Sequence, residues 1–94
     1  MRVFVIDRES STLNEIETIV HQKMGADVYG YENPLIALNE INALEPELVL
    51  IDASLESMNA FECAYRIQKA LANVRIVFLT RFHEEVAEVF EDYG

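Results

Sequence analysis

Three side chains that can bind cations or phosphate follow apolar stretches of the sequence. Asp52 follows residues 48–51, Asp7 follows residues 3–6, and Thr80 closes the stretch 74–80. A short, continuous apolar run is typical of a strand that is buried on both faces of a parallel sheet. Open α/β sheets bind ligands at the carboxyl ends of their strands. The sequence therefore predicts that two carboxylates and one hydroxyl share one edge of one sheet.

Helices are predicted between these strands from the spacing of the apolar residues. Thr12 and Glu15 predict a capping box near the start of the first helix, and Gly25 predicts its end. Asn33 and Pro34 predict the start of the second helix. The stripes that predict the buried faces of three helices are Leu13, Ile16, Val20 and Met24; Leu35, Leu38, Ile41 and Leu44; and Phe61, Ala64, Ile67 and Leu71.

Strand and helix alternate four times along the chain. Residues 27–31 predict a short strand that is polar enough to be an edge, and residues 84–93 predict a fourth, acidic helix. Right-handed crossovers between such units make a parallel sheet that is covered by helices. The predicted class is therefore α/β, in one domain of 94 residues. That length is near the lower end for a domain held by a hydrophobic core.

Composition argues against several kinds of partner. The net charge is −10 and the pI is near 4.4, so neither nucleic acid nor an anionic membrane is expected as a direct partner. No run spans a bilayer, no signal peptide is visible, and the single Cys63 excludes an internal disulfide. These features predict a cytoplasmic protein. No nucleophile–base pair or glycine-rich phosphate loop is visible, so the sequence does not predict an enzyme.

The sequence resembles the receiver domains of bacterial two-component response regulators. Pro-Glu-Leu-Val-Leu-Ile-Asp at 46–52 and Met-Asn-Ala-Phe-Glu at 58–62 are similar to the family's third strand and the loop that follows it. Residues 33–38 and 76–80 also fit, so the resemblance covers the whole chain. It implies a flavodoxin-like three-layer sandwich with a parallel sheet in the order 2-1-3-4. It also implies a single receiver domain over residues 1–94 that is incomplete, since it lacks the family's fifth strand and fifth helix.

The resemblance implies phosphoryl transfer. In the family, a histidine kinase or a phosphotransfer protein delivers a phosphoryl group to an aspartate carboxylate, and Mg²⁺ neutralises charge on the incoming group. Asp52 matches that acceptor, and Thr80 matches the switch hydroxyl that contacts the phosphoryl group. Asp7, Asp52 and the backbone carbonyl of Ser54 match the family's Mg²⁺ ligands.

Arg8 departs from the family's pattern, because it stands where the second metal-binding acid belongs. A guanidinium at this position competes with Mg²⁺ for carboxylates, which predicts that Arg8 pairs with Asp7 or Asp52 and impairs the metal site. Glu9 is a possible substitute ligand. Arg8 is also a possible built-in cation in place of the metal.

Other positions also differ from the family. Glu56 replaces the usual proline, Ala60 replaces the usual glycine, and Arg81 follows the switch position where a small residue is usual. The chain has only Lys23 and Lys69, both in predicted helices, so neither matches the family's phosphate-contacting lysine. These departures predict weak or absent phosphorylation.

Three hypotheses therefore remain open from the sequence. The chain is a receiver that is phosphorylated at Asp52, or a degenerate receiver that serves as a phosphorylation-independent interaction module, or a fragment whose missing end removes function. His21 and His83 are interpreted as ordinary surface residues, since no second histidine or cysteine lies at metal-binding spacing. The acidic fourth helix is either a solvated face or a docking surface.

Apolar residues on both faces of the fourth strand predict a homodimer. Val74, Ile76 and Phe78 alternate with Val77 and Leu79 along the strand. Without a fifth strand and fifth helix, this strand has an unpaired edge and an uncovered face, which favour association with a second copy. The predicted interface is centred on residues 74–79 and is two-fold symmetric.

Overall fold

Strands and helices alternate in the computed structural model of the protein, which describes residues 1–80. The predicted fourth helix, Arg81 and His83 lie outside these residues. The elements are β1 (Arg2–Ile6), α1 (Ser10–Met24), β2 (Asp27–Tyr31), α2 (Pro34–Leu44), β3 (Leu48–Asp52), α3 (Ala60–Ala70) and β4 (Arg75–Leu79). All strand pairs are parallel, in the order β2-β1-β3-β4. The predicted strand order, and with it the flavodoxin-like class, is confirmed.

Alternating side chains of the central strands form two apolar layers, because successive residues of a strand point to opposite faces. Val3 and Val5 of β1 lie on the face covered by α1, with Leu13, Val20 and Leu50. The opposite face is packed against α2 and α3. Its buried residues are Phe4, Ile6, Tyr31, Ala37, Ile41, Val49, Ile51, Ala60, Cys63, Ala64, Ile67 and Val74. The helices therefore sandwich the sheet and leave its carboxyl edge to the loops.

Helix ends follow local chemistry, with one correction to the sequence prediction. α1 begins at Ser10, its N-cap Glu9 makes no side-chain cap bond, and the predicted capping box of Thr12 and Glu15 is wrong. The Thr12 hydroxyl instead donates to the Glu9 carboxylate at 3.2 Å. This earlier start lets the helix follow directly from the loop after β1.

The predicted glycine and asparagine signals are confirmed. Gly25 ends α1 with a φ of 61°, in the left-handed region where a side chain is unfavourable. Asn33 caps α2 by accepting a hydrogen bond from the Leu35 backbone N–H. Asn59, which was not predicted as a cap, caps α3 in the same way and accepts from the N–H groups of Phe61 and Glu62.

The predicted stripes are confirmed except at Met24, Leu35 and Phe61, which are exposed. Ile41 and Ile67 are buried, whereas Leu35 is 51% exposed and Phe61 is 68% exposed. The buried face of α3 consists of Ala60, Cys63, Ala64 and Ile67, and Phe61 lies off this face. Phe61 packs on the ring of Phe78 instead, with 4.8 Å between ring centroids.

Cys63 is a core residue, as the sequence predicted, and is completely buried. Burial raises the pKa of the Cys63 thiol to about 11, although the charge of Arg66 acts in the opposite direction. In the part of the chain that the structure describes, no helix is long and apolar enough to cross a membrane.

Candidate functional site: the carboxyl edge of the sheet

Strand register brings the three predicted site residues to one edge. Ile6 of β1 pairs with Ile51 of β3, so Asp7 and Asp52 occupy neighbouring positions where these strands end. Asp52 in turn pairs with Leu79 of β4, which places Thr80 one residue beyond that pair. Two carboxylates and a hydroxyl therefore lie at one edge of the sheet, as predicted. Thr80 is exposed there.

Backbone hydrogen bonds extend the sheet into this edge. The Asp7 N–H donates to the Tyr31 carbonyl at 3.0 Å, and the Ala53 N–H donates to the Leu79 carbonyl at 2.8 Å. Both bonds continue the spacing of the parallel ladder past the last strand residues. The backbones that carry Asp7 and Asp52 are therefore fixed by their neighbours.

Both carboxylates are almost completely buried. Asp7 is 2% exposed and Asp52 is 1% exposed. A buried carboxylate requires hydrogen-bond donors or cations around it, since it has lost its water. The Asp7 Oδ1 atom accepts from the Glu9 backbone N–H at 2.9 Å. Asp7 and Asp52 each make at least one further interaction.

Ser54 holds Asp52 through two donors on one oxygen. The Ser54 N–H lies 3.0 Å from Asp52 Oδ1, and the Ser54 hydroxyl lies 2.8 Å from the same atom. The resemblance to the family predicted a role only for the backbone carbonyl of Ser54, as a ligand of Mg²⁺. The amide and hydroxyl contacts were missed, although an aspartate followed two residues later by serine is a common local hydrogen-bonding pattern. The result is a fixed orientation of the Asp52 carboxylate.

Arg8 makes its ion pair with Glu56 rather than with Asp7 or Asp52. The Arg8 Nη1 and Glu56 Oε1 atoms lie 2.5 Å apart, and the two side chains are 39% and 76% exposed. The expected partner of Arg8 is thus wrong. The physical reason is that the guanidinium keeps much of its hydration beside an exposed carboxylate, and would lose it beside two buried ones.

The donor set does not fit the Mg²⁺ site that the resemblance implies. No group of three or more His, Cys, Asp or Glu side chains that could hold a metal occurs among residues 1–80. Asp7 and Asp52 are adjacent, but position 8 supplies a cation instead of a third acid. Glu9 does not complete such a group among these residues, and its carboxylate accepts a hydrogen bond from the Thr12 hydroxyl at the start of α1. The edge is therefore one acidic ligand short.

The family follows from comparison with known proteins. The family model of the response regulator receiver domain matches residues 3–93. This chain belongs to that family. The receiver is 37% identical over 79 residues to the DNA-binding response regulator MtrA of Mycolicibacterium paratuberculosis, a match over 84% of this chain and 34% of MtrA. It is 28% identical over 75 residues to the response regulator protein VraR of Staphylococcus saprophyticus, over 80% and 32% of the two chains.

Solved receiver structures share the fold. The BeF3-activated DrrB receiver domain superposes with a TM-score of 0.75 and 20% identity, over 99% of this chain and 78% of that one. The response regulator domain of Thermotoga maritima CheB gives a TM-score of 0.73 and 20% identity, over 98% and 72% of the two chains. The receiver spans about a third of the length of the curated relatives named above. At these identities the structures establish the fold alone.

Proposed function

We propose that this receiver accepts a phosphoryl group on Asp52 from a histidine kinase or a phosphotransfer protein, in the cytoplasm, as a step of two-component signalling. The observation that carries the proposal is the orientation of the Asp52 carboxylate by Ser54, at the end of β3 and beside Asp7. Membership of the receiver family supports a role in two-component signalling. The net charge of −10 argues against direct contact between the receiver and DNA.

The proposed reaction is a substitution at phosphorus. A carboxylate oxygen of Asp52 attacks the phosphorus of a phosphohistidine, the P–N bond breaks, and an acyl phosphate forms as the imidazole leaves. Ser54 lowers the cost of reaching the reactive geometry, because it already fixes one oxygen of the nucleophile. Thr80 contributes a hydroxyl at the same edge that would donate to an oxygen of the transferred group.

Transfer to Asp52 is expected to be slow. The third acidic ligand is absent and Arg8 stands in its position, so the stabilisation of charge that phosphoryl transfer needs is reduced. Incubation with acetyl phosphate and Mg²⁺, followed by intact mass measurement, tests this directly. We expect weak labelling of the unmodified chain, none of Asp52→Ala, and stronger labelling of Arg8→Asp. Efficient labelling of the unmodified chain would contradict the role given to Arg8.

A second candidate function is a phosphorylation-independent interaction module. The observation that favours it is the Arg8–Glu56 ion pair, which places a cation of the chain itself at the carboxyl edge. This function predicts that Asp52→Asn leaves partner binding unchanged, and that even Arg8→Asp remains unlabelled by acetyl phosphate. Labelling of Arg8→Asp that is lost in Arg8→Asp/Asp52→Ala would argue against it.

Homodimerisation through the fourth strand is part of the proposal. Within residues 1–80, β4 pairs only with β3, and Val77 on this strand is 46% exposed. A strand edge and an apolar side chain in the same place both favour pairing with a second copy. Sedimentation equilibrium at micromolar concentration measures the association. A monomer of 10.8 kDa that binds no hydrophobic dye would contradict it.

A further inference from the structure

One side of β2 has no neighbouring strand among residues 1–80. The sheet order places β2 at an edge, and β2 pairs only with β1. The Asp27 N–H donates to the Met1 carbonyl just before β1, so Asp27 and every second residue after it direct their backbone groups toward β1. The N–H and C=O groups of Val28 and Gly30 therefore point away from β1. They present two donors and two acceptors in the arrangement that a further strand requires.

The shape of the edge lets another backbone approach. Gly30 is exposed and has no side chain, which in a strand permits close contact with a second chain. A Cβ atom at this position would lie 1.6 Å from Glu17 Oε1, so the Glu17 carboxylate lies over Gly30 on the α1 side of the sheet. A depression of about 300 Å³ continues along that side and is lined by Glu17, Thr18, His21, Gln22 and Val28. A strand added beside β2 would direct alternate side chains toward this depression.

The charge around this edge is negative. Residues 10–44, which include α1, β2 and α2, contain one lysine, Lys23, and five carboxylates, on Glu15, Glu17, Asp27, Glu32 and Glu40. Asp27 begins β2, Glu32 follows its last residue, and Glu40 accepts a hydrogen bond from the Tyr31 hydroxyl at its end. Pairing of β2 with β2 of a second copy would bring like charges together, which is unfavourable. A strand that carries basic side chains would instead meet opposite charge.

We propose that the free edge of β2 binds an extended, basic segment of a partner protein, which adds a strand to the sheet beside β2. Hydrogen bonds to the backbone of Val28 and Gly30 hold the segment, and the carboxylates beside them select lysine or arginine at alternate positions. The inference goes beyond the proposed function, because it involves neither the carboxylates of Asp7 and Asp52 nor a metal.

The test is a titration of the receiver with a short peptide in which lysine and valine alternate, followed by NMR of the backbone amides. We expect the largest shifts at Val28 and Gly30, and slower deuterium exchange of both amides in the complex. The same peptide methylated on every backbone nitrogen keeps its charge but cannot pair as a strand, so it should not shift these amides. A peptide with glutamate in place of lysine should also leave them unshifted.

The matched variants are Glu17→Gln, beside the edge, and Glu62→Gln, on α3. Each removes one carboxylate, but only Glu17 lies over Gly30. Glu17→Gln is expected to weaken binding of the lysine–valine peptide about two- to fivefold, the range that corresponds to one exposed ion pair. Glu62→Gln is expected to leave the affinity unchanged.

Several results would overturn the inference. Equal shifts with the methylated peptide would show that charge alone accounts for binding. Equal weakening by Glu17→Gln and Glu62→Gln would show a general effect of the net charge. Shifts of Val28 and Gly30 on dilution of the receiver without peptide would identify a second copy as the occupant of the edge. Unchanged Val28 and Gly30 amides at millimolar peptide would show that β2 does not accept a basic strand.

Discussion

Removal of the Ser54 hydroxyl is expected to destabilise the receiver through Asp52. The hydroxyl donates to Asp52 Oδ1 at 2.8 Å, and the carboxylate is 1% exposed. Hydrogen bonds to charged groups contribute about 1.5–3 kcal/mol. Ser54 itself is exposed, so water can replace part of the lost contact, and the Ser54 N–H continues to donate. We therefore expect Ser54→Ala to lower the free energy of unfolding by about 1 kcal/mol, below the usual range for such bonds.

Urea unfolding followed by circular dichroism measures this change. With a urea slope of about 1 kcal/mol per molar for a domain of this size, the midpoint should fall by about 1 M. Asp52→Asn provides the matched background, because it removes the charge of the acceptor and keeps its shape. Ser54→Thr is the conservative control, which retains a hydroxyl and should retain most of the stability. An unchanged midpoint in Ser54→Ala would refute the reasoning. So would an equal loss in the Asp52→Asn background, since the loss would then be independent of the carboxylate.

Three further predictions concern the metal, the backbone and the thiol. The double change Arg8→Asp with Arg81→Ala should raise Mg²⁺ affinity, because it adds the missing acid and removes two cations; calorimetric titration checks this, and an unchanged affinity would contradict it. Glu45→Gly should raise the free energy of unfolding by about 0.5–1 kcal/mol, since Glu45 ends α2 with a φ of 46°, which glycine adopts without strain. The control Glu47→Gly also removes one negative charge but should not raise the free energy of unfolding. Cys63 should react with a thiol reagent only on unfolding, because it is completely buried. The stability that the neutral, buried thiol of Cys63 contributes should be lost as pH rises from about 9 to about 11, because the thiol of the unfolded chain ionises at a lower pH than the buried one. Rapid modification of the native protein at neutral pH would contradict the last prediction.

The sheet could be predicted from sequence because its signals are local and redundant. Residues 48–51 and 3–6 are apolar without interruption, and Gly25, Asn33 and Pro34 mark helix ends by their own backbone preferences. The stripe in α3 was wrong at Phe61 because Ala60 takes the buried position in that turn, whereas Phe61 packs on Phe78. Because α3 has only 11 residues, its apolar spacing repeats too few times to identify the misassigned position.

The positions of the site residues could be predicted, whereas their partners could not. Strand ends fix where Asp7 and Asp52 lie, and the resemblance to the family singles them out. Which carboxylate Arg8 selects depends on the exposure of each one after folding, and Glu56 is 48 positions away in sequence. The Ser54 hydroxyl was missed for a different reason. The resemblance to the family assigns a role only to the backbone carbonyl at this position, whereas the hydroxyl contact is a property of the serine side chain of this chain.

The extension of the β ladder past Asp7 and Ala53 has a consequence for how the site opens. The N–H groups of both residues are hydrogen-bonded to neighbouring strands, although both lie just beyond their own strands. Such amides exchange with deuterium only when the neighbouring strands separate, so we expect them to exchange as slowly as the central sheet. The loop at 54–59 is expected to exchange much faster. A chemical modification of Asp52 would then displace the loop at 54–59, whereas the strands of the sheet would keep their pairing.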